Sequence, residues 1–394
     1  MAVFRRMTVS TQGSIHDVLV LPYLNHAIRM LESGYASAAD IDNAMRFGCG
    51  YPQGPLATVD EIGASAVRDA LLARFEETGD NLHKPAGLLT EIADGAGSFT
   101  AAAGDDVRPP QLRHTIEKIG VVGTGTMASG IVQVFAQAGY DVVFVGRSPE
   151  KVDGVVAGIT RSLDKAIAKG RSDEETKAAV LGRLTGTTSR ENLADADLVV
   201  EGIAEDLDIK TELFKDLDRI TKAGAILATT TSSMPITELA KVTSRPGDVI
   251  GMHFFNPAPV MKLVEVVTTD LTSPEVDETV RALSAAVKKV PVSCGDRSGF
   301  IVNALLFPYL NDAVKLHEAG VAMDEIDATI KETAGFPMGP FELLDVVGND
   351  VSLAIQSELR NEFGEPGFDP AALLIQKVQE GKLGRKTGEG FHTY

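Results

Sequence analysis

One pattern of helical residues and turn residues occurs twice in this chain of 394 residues, once near each end. The first copy runs from Ser14 to Leu89 and the second from Phe300 to Leu374. Both contain PYLN, an Ile-Asp pair, an aromatic-Pro turn, a Gly-Pro pair, D-x-x-G and P-A-x-LL, in one register after a single insertion near Ala38. Because these marks are shared over about 75 residues, they predict a duplicated helical unit.

Between the two copies, short apolar runs alternate with segments of helical periodicity. This alternation is typical of β-α units whose strands form a mostly parallel sheet. The strand candidates are KIGVVG, DVVFVG, DLVVEGI, AILATTT and DVIGMHF.

The first of these strand candidates runs into a glycine loop, IGVVGTGTMASG. Gly123 permits a tight turn, Gly125 lets the backbone approach a pyrophosphate, and the small Ala128 lets helix and strand pack closely. The helix that follows would offer N–H groups to the anion. With a second strand predicted from Asp141 to Val145, the context favours a dinucleotide-binding site.

The predicted fold class is therefore α/β. A Rossmann-type dinucleotide-binding domain is followed by an all-α C-terminal domain and preceded by a second all-α copy. The stretch from Gly95 to Thr115 is rich in Gly, Ala, Pro and Asp, as linkers are. The expected boundaries are 1–104 for the first copy, 105–115 for the linker, 116–297 for the Rossmann domain and 298–394 for the C-terminal domain.

The end of the second predicted strand bears on the choice of cofactor. NAD enzymes usually place an acidic residue there to hold the ribose hydroxyls. This chain has Gly146 and Arg147 instead, so no carboxylate would repel a 2′-phosphate and an arginine is available to bind it. We expect NADP(H) to be preferred, with NAD(H) possible if Arg147 is only a solvated loop residue.

Composition excludes several classes of protein. The net charge of -18 argues against a nucleic-acid partner, although a site for an anionic small molecule needs only a few local cations. The only cysteines, Cys49 and Cys294, lie far apart, so neither disulfides nor a metal site is expected. No signal peptide or apolar run of membrane-spanning length is found, and a cytoplasmic setting is expected.

The stretch GMHFFNPAPVMKLVEVV places one histidine, His253, and one glutamate, Glu265, in an otherwise apolar run. Burying such groups costs free energy unless they pair. A carboxylate bonded to an imidazole fixes its tautomer and raises its basicity, as a general base near neutral pH requires. The alternative is a satisfied core histidine beside an edge glutamate.

From about residue 116 to the C-terminus the chain resembles the 3-hydroxyacyl-CoA dehydrogenase family, in particular its short-chain 3-hydroxybutyryl-CoA members. The marks are GTGTM, TSSMPITELA, HFFNPAPVMKLVEVV, SGFIVNALLFPYLNDA, GFPMGPFELLD and GRKTGEGFHTY. The first copy resembles the family's C-terminal domain again. The resemblance implies hydride transfer between the 3-hydroxyl or 3-oxo carbon of an acyl-CoA and a nicotinamide cofactor.

The resemblance also implies roles for individual residues. His253 would be the catalytic base and Glu265 would orient it, with Ser232 and Asn303 completing the catalytic set and contacting the substrate. The implied cofactor contacts are Gly123, Gly125, Thr126, Met127, Arg147, Glu205, Lys210, Thr230, Ser232, Asn256 and Lys386. Ser162 and Lys169 match positions that meet coenzyme A, although both residues could equally be solvated surface residues.

Two departures from the family pattern matter. The acidic residue after the second strand is replaced by Gly146 and Arg147, and the Asn of the family's NTSS motif is Thr230, which keeps a hydroxyl but loses an amide. The first copy carries Asp17 where the second has Asn303, and an ionised carboxylate cannot donate the same hydrogen bond. We therefore expect the first copy to be non-catalytic.

The family usually dimerises through its C-terminal helical domain. A covalently attached second copy could occupy that surface at high effective concentration. We expect either an intramolecular pseudo-dimer of residues 1–104 with 298–394 or an ordinary homodimer. Two other functions remain open: a dehydrogenase of free hydroxy acids, and a catalytically silent relative that only binds.

Overall fold

The protein's structure is a computed structural model. It describes residues 14–95, 97–100 and 109–394. Parts of two expected segments lie outside these residues: positions 1–13, 96 and 101–104 of the first copy, and 105–108 of the linker.

The chain divides into two compact units. One unit contains the described residues up to position 100 together with Arg297–Tyr394, and the other contains residues 109–296. Arg297 belongs to the helical unit, where its guanidinium lies 3.9 Å from the ring centroid of Tyr35 and 5.1 Å from that of Phe363. No helix in the described ranges is both long enough and apolar enough to cross a bilayer.

The first copy folds into five α-helices within the described residues. They are α1 (Ile15–Glu32), α2 (Ala38–Gly48), α3 (Pro55–Ile62), α4 (Ala64–Thr78) and α5 (Gly87–Gly95). Ser14 caps α1 by accepting a hydrogen bond from the N–H of Asp17. The chain leaves α1 through Gly34, whose φ of +67° is a conformation that glycine adopts without strain.

The second unit is built on one eight-stranded sheet. Its strands are β1 (Lys118–Val122), β2 (Asp141–Val145), β3 (Leu184–Thr187), β4 (Leu198–Glu201), β5 (Ile226–Thr229), β6 (Val249–Phe254), β7 (Leu263–Thr268) and β8 (Val290–Gly295). The strand order is β3-β2-β1-β4-β5-β6-β7-β8, and every neighbouring pair is parallel except β6 and β7. The buried strands read as continuous apolar runs because helices cover a parallel sheet.

The helices of this unit are α6 (Thr126–Gln137), α7 (Pro149–Ala168), α8 (Glu174–Gly182), α9 (Leu207–Ile220), α10 (Ile236–Lys241) and α11 (Pro274–Ala286). The described end of the linker lies against α11, where Arg113 Nε is 2.6 Å from Glu278 Oε2. The N–H groups of Arg113 and His114 both donate to Thr279 Oγ1.

The second copy repeats the five-helix arrangement of the first. Its helices are α12 (Val302–Glu318), α13 (Met323–Thr333), α14 (Pro340–Val347), α15 (Asn349–Phe363) and α16 (Ala372–Gln379). The α/β class with a flanking helical copy on each side, as predicted, is confirmed.

Matched hydrogen bonds explain the marks that the two copies share. Asp42 accepts from the N–H groups at the start of α3, at 2.8 and 3.1 Å, and Asp327 does the same at the start of α14, at 2.9 and 3.2 Å. A Cβ at Gly54 or Gly339 would lie 2.2 or 2.3 Å from these aspartates. The Ile-Asp and Gly-Pro marks are thus two parts of one helix cap.

The two copies pack on each other through equivalent residues. Tyr51 stacks on Phe336 with centroids 3.6 Å apart, and Tyr23 of α1 lies 6.2 Å from Tyr309 of α12. In each pair the two residues hold matching positions in the two copies. Contact between matching positions is the mark of an isologous interface.

Two further contacts are reciprocal. A Cβ at Gly50 would meet Pro337 at 3.7 Å, and a Cβ at the matching Gly335 would meet Pro52 at 3.4 Å. The helical unit therefore has a pseudo-twofold arrangement, in which each copy presents one surface to the other.

Candidate active site

The loop after β1 lies tightly against the chain that leaves β4. Gly123 has a φ of +135°, and a Cβ there would lie 2.4 Å from the carbonyl oxygen of Gly202. A Cβ at Gly202 would in turn lie 3.2 Å from the Cβ of the fully buried Ala128. Position 123 therefore needs glycine for its backbone conformation and for space.

Gly125 lies in open space, since a Cβ there would meet no atom within 4 Å. The next residues, Thr126 and Met127, begin α6, and their N–H groups donate no hydrogen bond within the described part of the chain. Unsatisfied first-turn N–H groups beside an open glycine form an anion cradle. The residues present thus fit the pyrophosphate of a dinucleotide.

The chain leaves β2 through Gly146 and Arg147. Arg147 is exposed and forms no hydrogen bond or ion pair with any residue that the structure describes. Ser148 follows and caps α7 by accepting from the N–H of Lys151. The Arg147 guanidinium is therefore available to a phosphate, which it can bind through two parallel hydrogen bonds.

A buried ion pair lies at the end of β4. Lys210 Nζ is 2.7 and 2.8 Å from the two carboxylate oxygens of Glu201, and the two side chains are 1% and 0% exposed. Glu201 also accepts from the N–H of Ile203 and the hydroxyl of Thr229, each at 2.7 Å. These bonds saturate the carboxylate, as a charge pair in the interior requires.

The same lysine connects to the surface through Glu205. Lys210 Nζ lies 3.4 Å from Glu205 Oε2, and Glu205 accepts from Thr231 Oγ1 at 3.0 Å and from the N–H of Ser232 at 3.1 Å. This network holds the backbone at Ser232 in place. Lys210 is buried and contacts the more exposed Glu205, and a contact of either residue with a cofactor stays a prediction.

Three members of this network were not predicted from the sequence: Glu201, Thr229 and Thr231. A signal for Glu201 existed, since a glutamate interrupts the apolar run DLVVEGI as His253 interrupts DVIGMHF. The predicted Thr230 donates its N–H to the carbonyl oxygen of Glu201 at 3.1 Å. Its hydroxyl forms no hydrogen bond with the described residues.

His253 and Glu265 pair with each other across β6 and β7, the antiparallel strand pair of the described sheet. They lie directly opposite each other on β6 and β7, and His253 Nδ1 is 2.7 Å from Glu265 Oε2. His253 is 8% exposed and Glu265 is fully buried. Residues directly opposite on antiparallel strands present their side chains to the same face. When Glu265 is the acceptor in this bond, Nδ1 carries the imidazole proton and Nε2 keeps its lone pair.

The residues after His253 form the loop that leaves β6. The ring of Phe255 packs edge-on against the imidazole, with centroids 4.7 Å apart. The next residue, Asn256, is exposed. Its side chain is therefore accessible to a ligand, although its predicted contact with the cofactor stays a prediction.

Ser162 and Lys169 both belong to α7 and its C-terminal cap. They are seven residues apart, so they lie on one face of the helix. Ser162 is half-buried, whereas Lys169 is exposed and forms no ion pair within the described residues.

Asn303 and Lys386 belong to the helical unit. Asn303 lies in the first turn of α12, is 8% exposed and makes no side-chain hydrogen bond within the described residues. The ammonium of Lys386 pairs with Asp350. That these two residues join the site of the other unit stays a prediction.

The first copy has no counterpart of Asn303 or of Lys386. Asp17 replaces Asn303 and lies 3.2 Å from the imidazole of His16. After α5 the chain continues directly to Phe99 and Thr100, whose N–H groups bond to Asp60, as those of the matching tail residues in the second copy bond to Asp345. The short connection leaves out the segment that carries Lys386.

Comparison with known proteins gives two family matches. Residues 118–297 match the family described as 3-hydroxyacyl-CoA dehydrogenase, NAD binding domain. Residues 13–107 and 299–394 each match the family described as 3-hydroxyacyl-CoA dehydrogenase, C-terminal domain.

The matches to individual relatives cover nearly the whole length of each relative. The 3-hydroxybutyryl-CoA dehydrogenase of Clostridioides difficile is 46% identical over 278 residues, which cover 70% of this chain and 99% of the relative. The human mitochondrial hydroxyacyl-coenzyme A dehydrogenase is 44% identical over 288 residues, 71% of this chain and 91% of the relative. The crystal structure of (S)-3-hydroxybutyryl-CoA dehydrogenase from Ralstonia eutropha matches with a TM-score of 0.70 and 42% identity, over 71% of this chain and 99% of that one.

Proposed function

Because the chain belongs to the 3-hydroxyacyl-CoA dehydrogenase family, we propose that it interconverts 3-hydroxyacyl-CoA and 3-oxoacyl-CoA with His253 as the acid and base. The relatives' names favour a substrate of the size of 3-hydroxybutyryl-CoA. The observation that carries the proposal is the 2.7 Å pair between His253 and the buried Glu265.

The chemistry of the pair follows from its hydrogen bond. Glu265 accepts from Nδ1, so Nε2 of His253 is the nitrogen that takes the proton from the substrate's 3-hydroxyl. The imidazolium that forms is stabilised by the buried carboxylate. In the reducing direction the same nitrogen returns the proton to the developing alkoxide. Glu265 is a positioning residue, since it acts through His253.

Two donors would stabilise charge on the substrate's oxygens. Ser232 donates its N–H to Glu205, which fixes the backbone that carries its hydroxyl. The Asn303 amide makes no hydrogen bond with the described residues of its own unit. Donors fixed before the reaction favour the developing alkoxide without the cost of reorganising. We propose that both contact the 3-oxygen or the thioester carbonyl.

The cofactor, when bound, supplies the hydride-accepting nicotinamide. Gly123, Gly125, Thr126 and Met127 would hold its pyrophosphate. The residues proposed along the rest of the cofactor are Glu205, Lys210, Thr230, Ser232, Asn256 and Lys386.

We propose that NADP(H) is preferred over NAD(H). The support is the exposed guanidinium of Arg147, which has no partner among the described residues, beside Gly146 at the position where a carboxylate would hold ribose hydroxyls. NAD(H) lacks the 2′-phosphate that Arg147 would bind.

The coenzyme A part of the substrate is proposed to contact Ser162 and Lys169. A phosphate contact is supported by their shared face on α7 and by the Lys169 ammonium, which pairs with none of the residues that the structure describes.

For the helical unit we propose an intramolecular pseudo-dimer. The stacked Tyr51 and Phe336 and the reciprocal Gly-Pro contacts cover one surface of each copy with the other. That surface would otherwise be free to pair two chains. The first copy then serves as a non-catalytic partner.

Reduction of acetoacetyl-CoA, followed at the nicotinamide absorbance with NADPH and NADH side by side, tests the reaction. Acetoacetate is the matched control without coenzyme A. We expect turnover with acetoacetyl-CoA only, and faster with NADPH at low cofactor concentration. Equal turnover of acetoacetate would indicate a free hydroxy-acid dehydrogenase. No turnover in either case, with intact cofactor binding, would indicate a silent relative.

A further inference from the structure

Gly146, the residue that replaces the expected carboxylate, lies in a crowded place. A Cβ there would be 2.9 Å from Thr124 Cγ2 and 2.9 Å from Val152 Cγ2. Its φ lies outside the left-handed region, so the backbone conformation does not itself require glycine. Space alone therefore determines which side chains position 146 accepts.

Val152 has little freedom to move away. It lies in the first turns of α7, where a β-branched side chain has one strongly preferred rotamer. Its other methyl group, Cγ1, lies 2.2 Å from the place that a Cβ of Gly186 on β3 would take. Val152 thus fills the space over two glycines at once, and both are needed for α7 to approach the sheet.

Thr124 is the neighbour of Gly146 whose side chain can be shortened without changing the packing of α7 on the sheet. It lies between Gly123 and Gly125 in the phosphate loop, is half-buried, and its hydroxyl forms no hydrogen bond within the described residues. Its Cγ2 methyl closes the other side of the space over Gly146. Replacing Thr124 with alanine would remove that methyl and leave the loop backbone unchanged.

We propose that Thr124 is a cofactor-specificity residue, acting with Gly146 as one steric pair. Together with Val152 Cγ2, the Thr124 methyl makes position 146 too crowded for the acidic side chain that would hold the ribose hydroxyls of NAD(H), and Thr124 is the member of that contact that alanine can relieve. Arg147 then supplies the cationic side chain in this segment for the phosphate on the adenosine ribose. This inference rests on the proposed preference for NADP(H).

A joint role of Thr124 and Gly146 can be distinguished from a role of Gly146 alone. If Gly146 alone excluded NAD(H), then Gly146→Asp would be sufficient to create NADH binding. If Thr124 and Gly146 act together, the aspartate cannot reach a productive rotamer until the Thr124 methyl is gone. The two accounts therefore predict different behaviour of the single and double variants.

The test measures dissociation constants of NADH and NADPH by nicotinamide fluorescence, in the full-length protein without substrate. We expect Gly146→Asp to weaken NADPH binding at least 10-fold without strengthening NADH binding. Thr124→Ala/Gly146→Asp should bind NADH at least 10-fold more tightly than Gly146→Asp does. If Gly146→Asp alone binds NADH as tightly as the double variant, the role of Thr124 is overturned.

Melting temperatures separate this inference from the proposed function. Gly146→Ala should lower the melting temperature, and Thr124→Ala in the same chain should recover at least half of the loss. Gly154→Ala, in the following helix α7, is the control: a Cβ there meets no atom within 4 Å, so the melting temperature should not fall. If the wild-type protein binds NADH more tightly than NADPH, the proposed preference for NADP(H) is overturned. A Gly146→Ala chain that melts like wild type would overturn the steric pair.

Discussion

His253 and Glu265 lie directly opposite each other on β6 and β7, with Nδ1 2.7 Å from Oε2 and the carboxylate fully buried. Replacing Glu265 with glutamine keeps the shape but presents an amide N–H or a neutral oxygen to the imidazole. The tautomer needed for proton transfer loses its support, and the imidazolium loses its counter-charge. We expect kcat for acetoacetyl-CoA reduction to fall by about 10²-fold or more.

The dissociation constant of the cofactor should not change in Glu265→Gln, because the pair acts on the substrate's proton. Glu175→Gln, the same exchange on the exposed first turn of α8, is the control. A Glu265→Gln enzyme within twofold of wild-type kcat would show that the pair is only a buried structural contact.

The pair between Lys210 and Glu201 should matter mainly for stability. Lys210→Met leaves a fully buried carboxylate without its cation, and we expect the free energy of unfolding to fall by about 3–5 kcal/mol. Glu201→Gln/Lys210→Met, which buries no charge, should lose less. Urea denaturation measures both variants, and a loss under about 1 kcal/mol for the single variant would contradict this account.

Arg147 should affect only the phosphorylated cofactor. Arg147→Gln removes a charge-assisted contact with the 2′-phosphate, a type of bond worth about 1.5–3 kcal/mol. The dissociation constant of NADPH should therefore rise roughly 10- to 100-fold, while that of NADH stays the same. Equal weakening for both cofactors would indicate that Arg147 supports the fold of the loop.

Acid should destabilise the helical unit through His26. Its imidazole packs edge-on against Phe368, at 5.4 Å, where the two copies meet. Burial lowers the pKa of His26 to about 3, with smaller effects from the charges of Arg297 and Arg29. In the unfolded chain the pKa of His26 is near 6.5, so between pH 6.5 and 3 the imidazole is protonated in the unfolded chain and neutral in the folded one.

The stability contributed by neutral His26 is thus complete above pH 6.5 and is lost as the pH falls toward 3. The loss is about 1.4 kcal/mol for each pH unit, or about 2 kcal/mol at pH 5. We expect His26→Leu to show a shallower fall in unfolding free energy between pH 7 and 5. Identical slopes for the variant and wild type would contradict the prediction.

The pseudo-dimer predicts the mass of a single chain in solution. Size-exclusion chromatography with light scattering should give one chain at micromolar concentrations, because the first copy covers the surface around Tyr309 and Phe336. A chain without residues 1–104 should dimerise or lose solubility. A stable dimer of the full chain whose interface excludes the first copy would contradict the proposal.

Much of the dinucleotide site could be predicted from the sequence because it is built from consecutive residues. The glycine loop from Gly123 to Ala128 forms its cradle from backbone groups, and β1, β2, β4, β5 and β6 all lie within the predicted apolar runs. His253 and Glu265 were also apparent, since two polar groups in an apolar run must pair. The antiparallel pairing of β6 with β7 was not predicted. It is the register of these two strands that places His253 opposite Glu265.

The order of the domains, the phosphate loop and the duplicated helical copy could be predicted from residue types alone, because each rests on local motifs. Contacts in the folded chain were needed to show that Lys210 points inward to Glu201, that Thr124 and Val152 crowd Gly146, and that Tyr51 stacks on Phe336. These contacts join residues from separate elements. Whether a lysine meets solvent or a carboxylate, and whether a glycine has room for a Cβ, is set by how closely helices pack on the sheet and on each other.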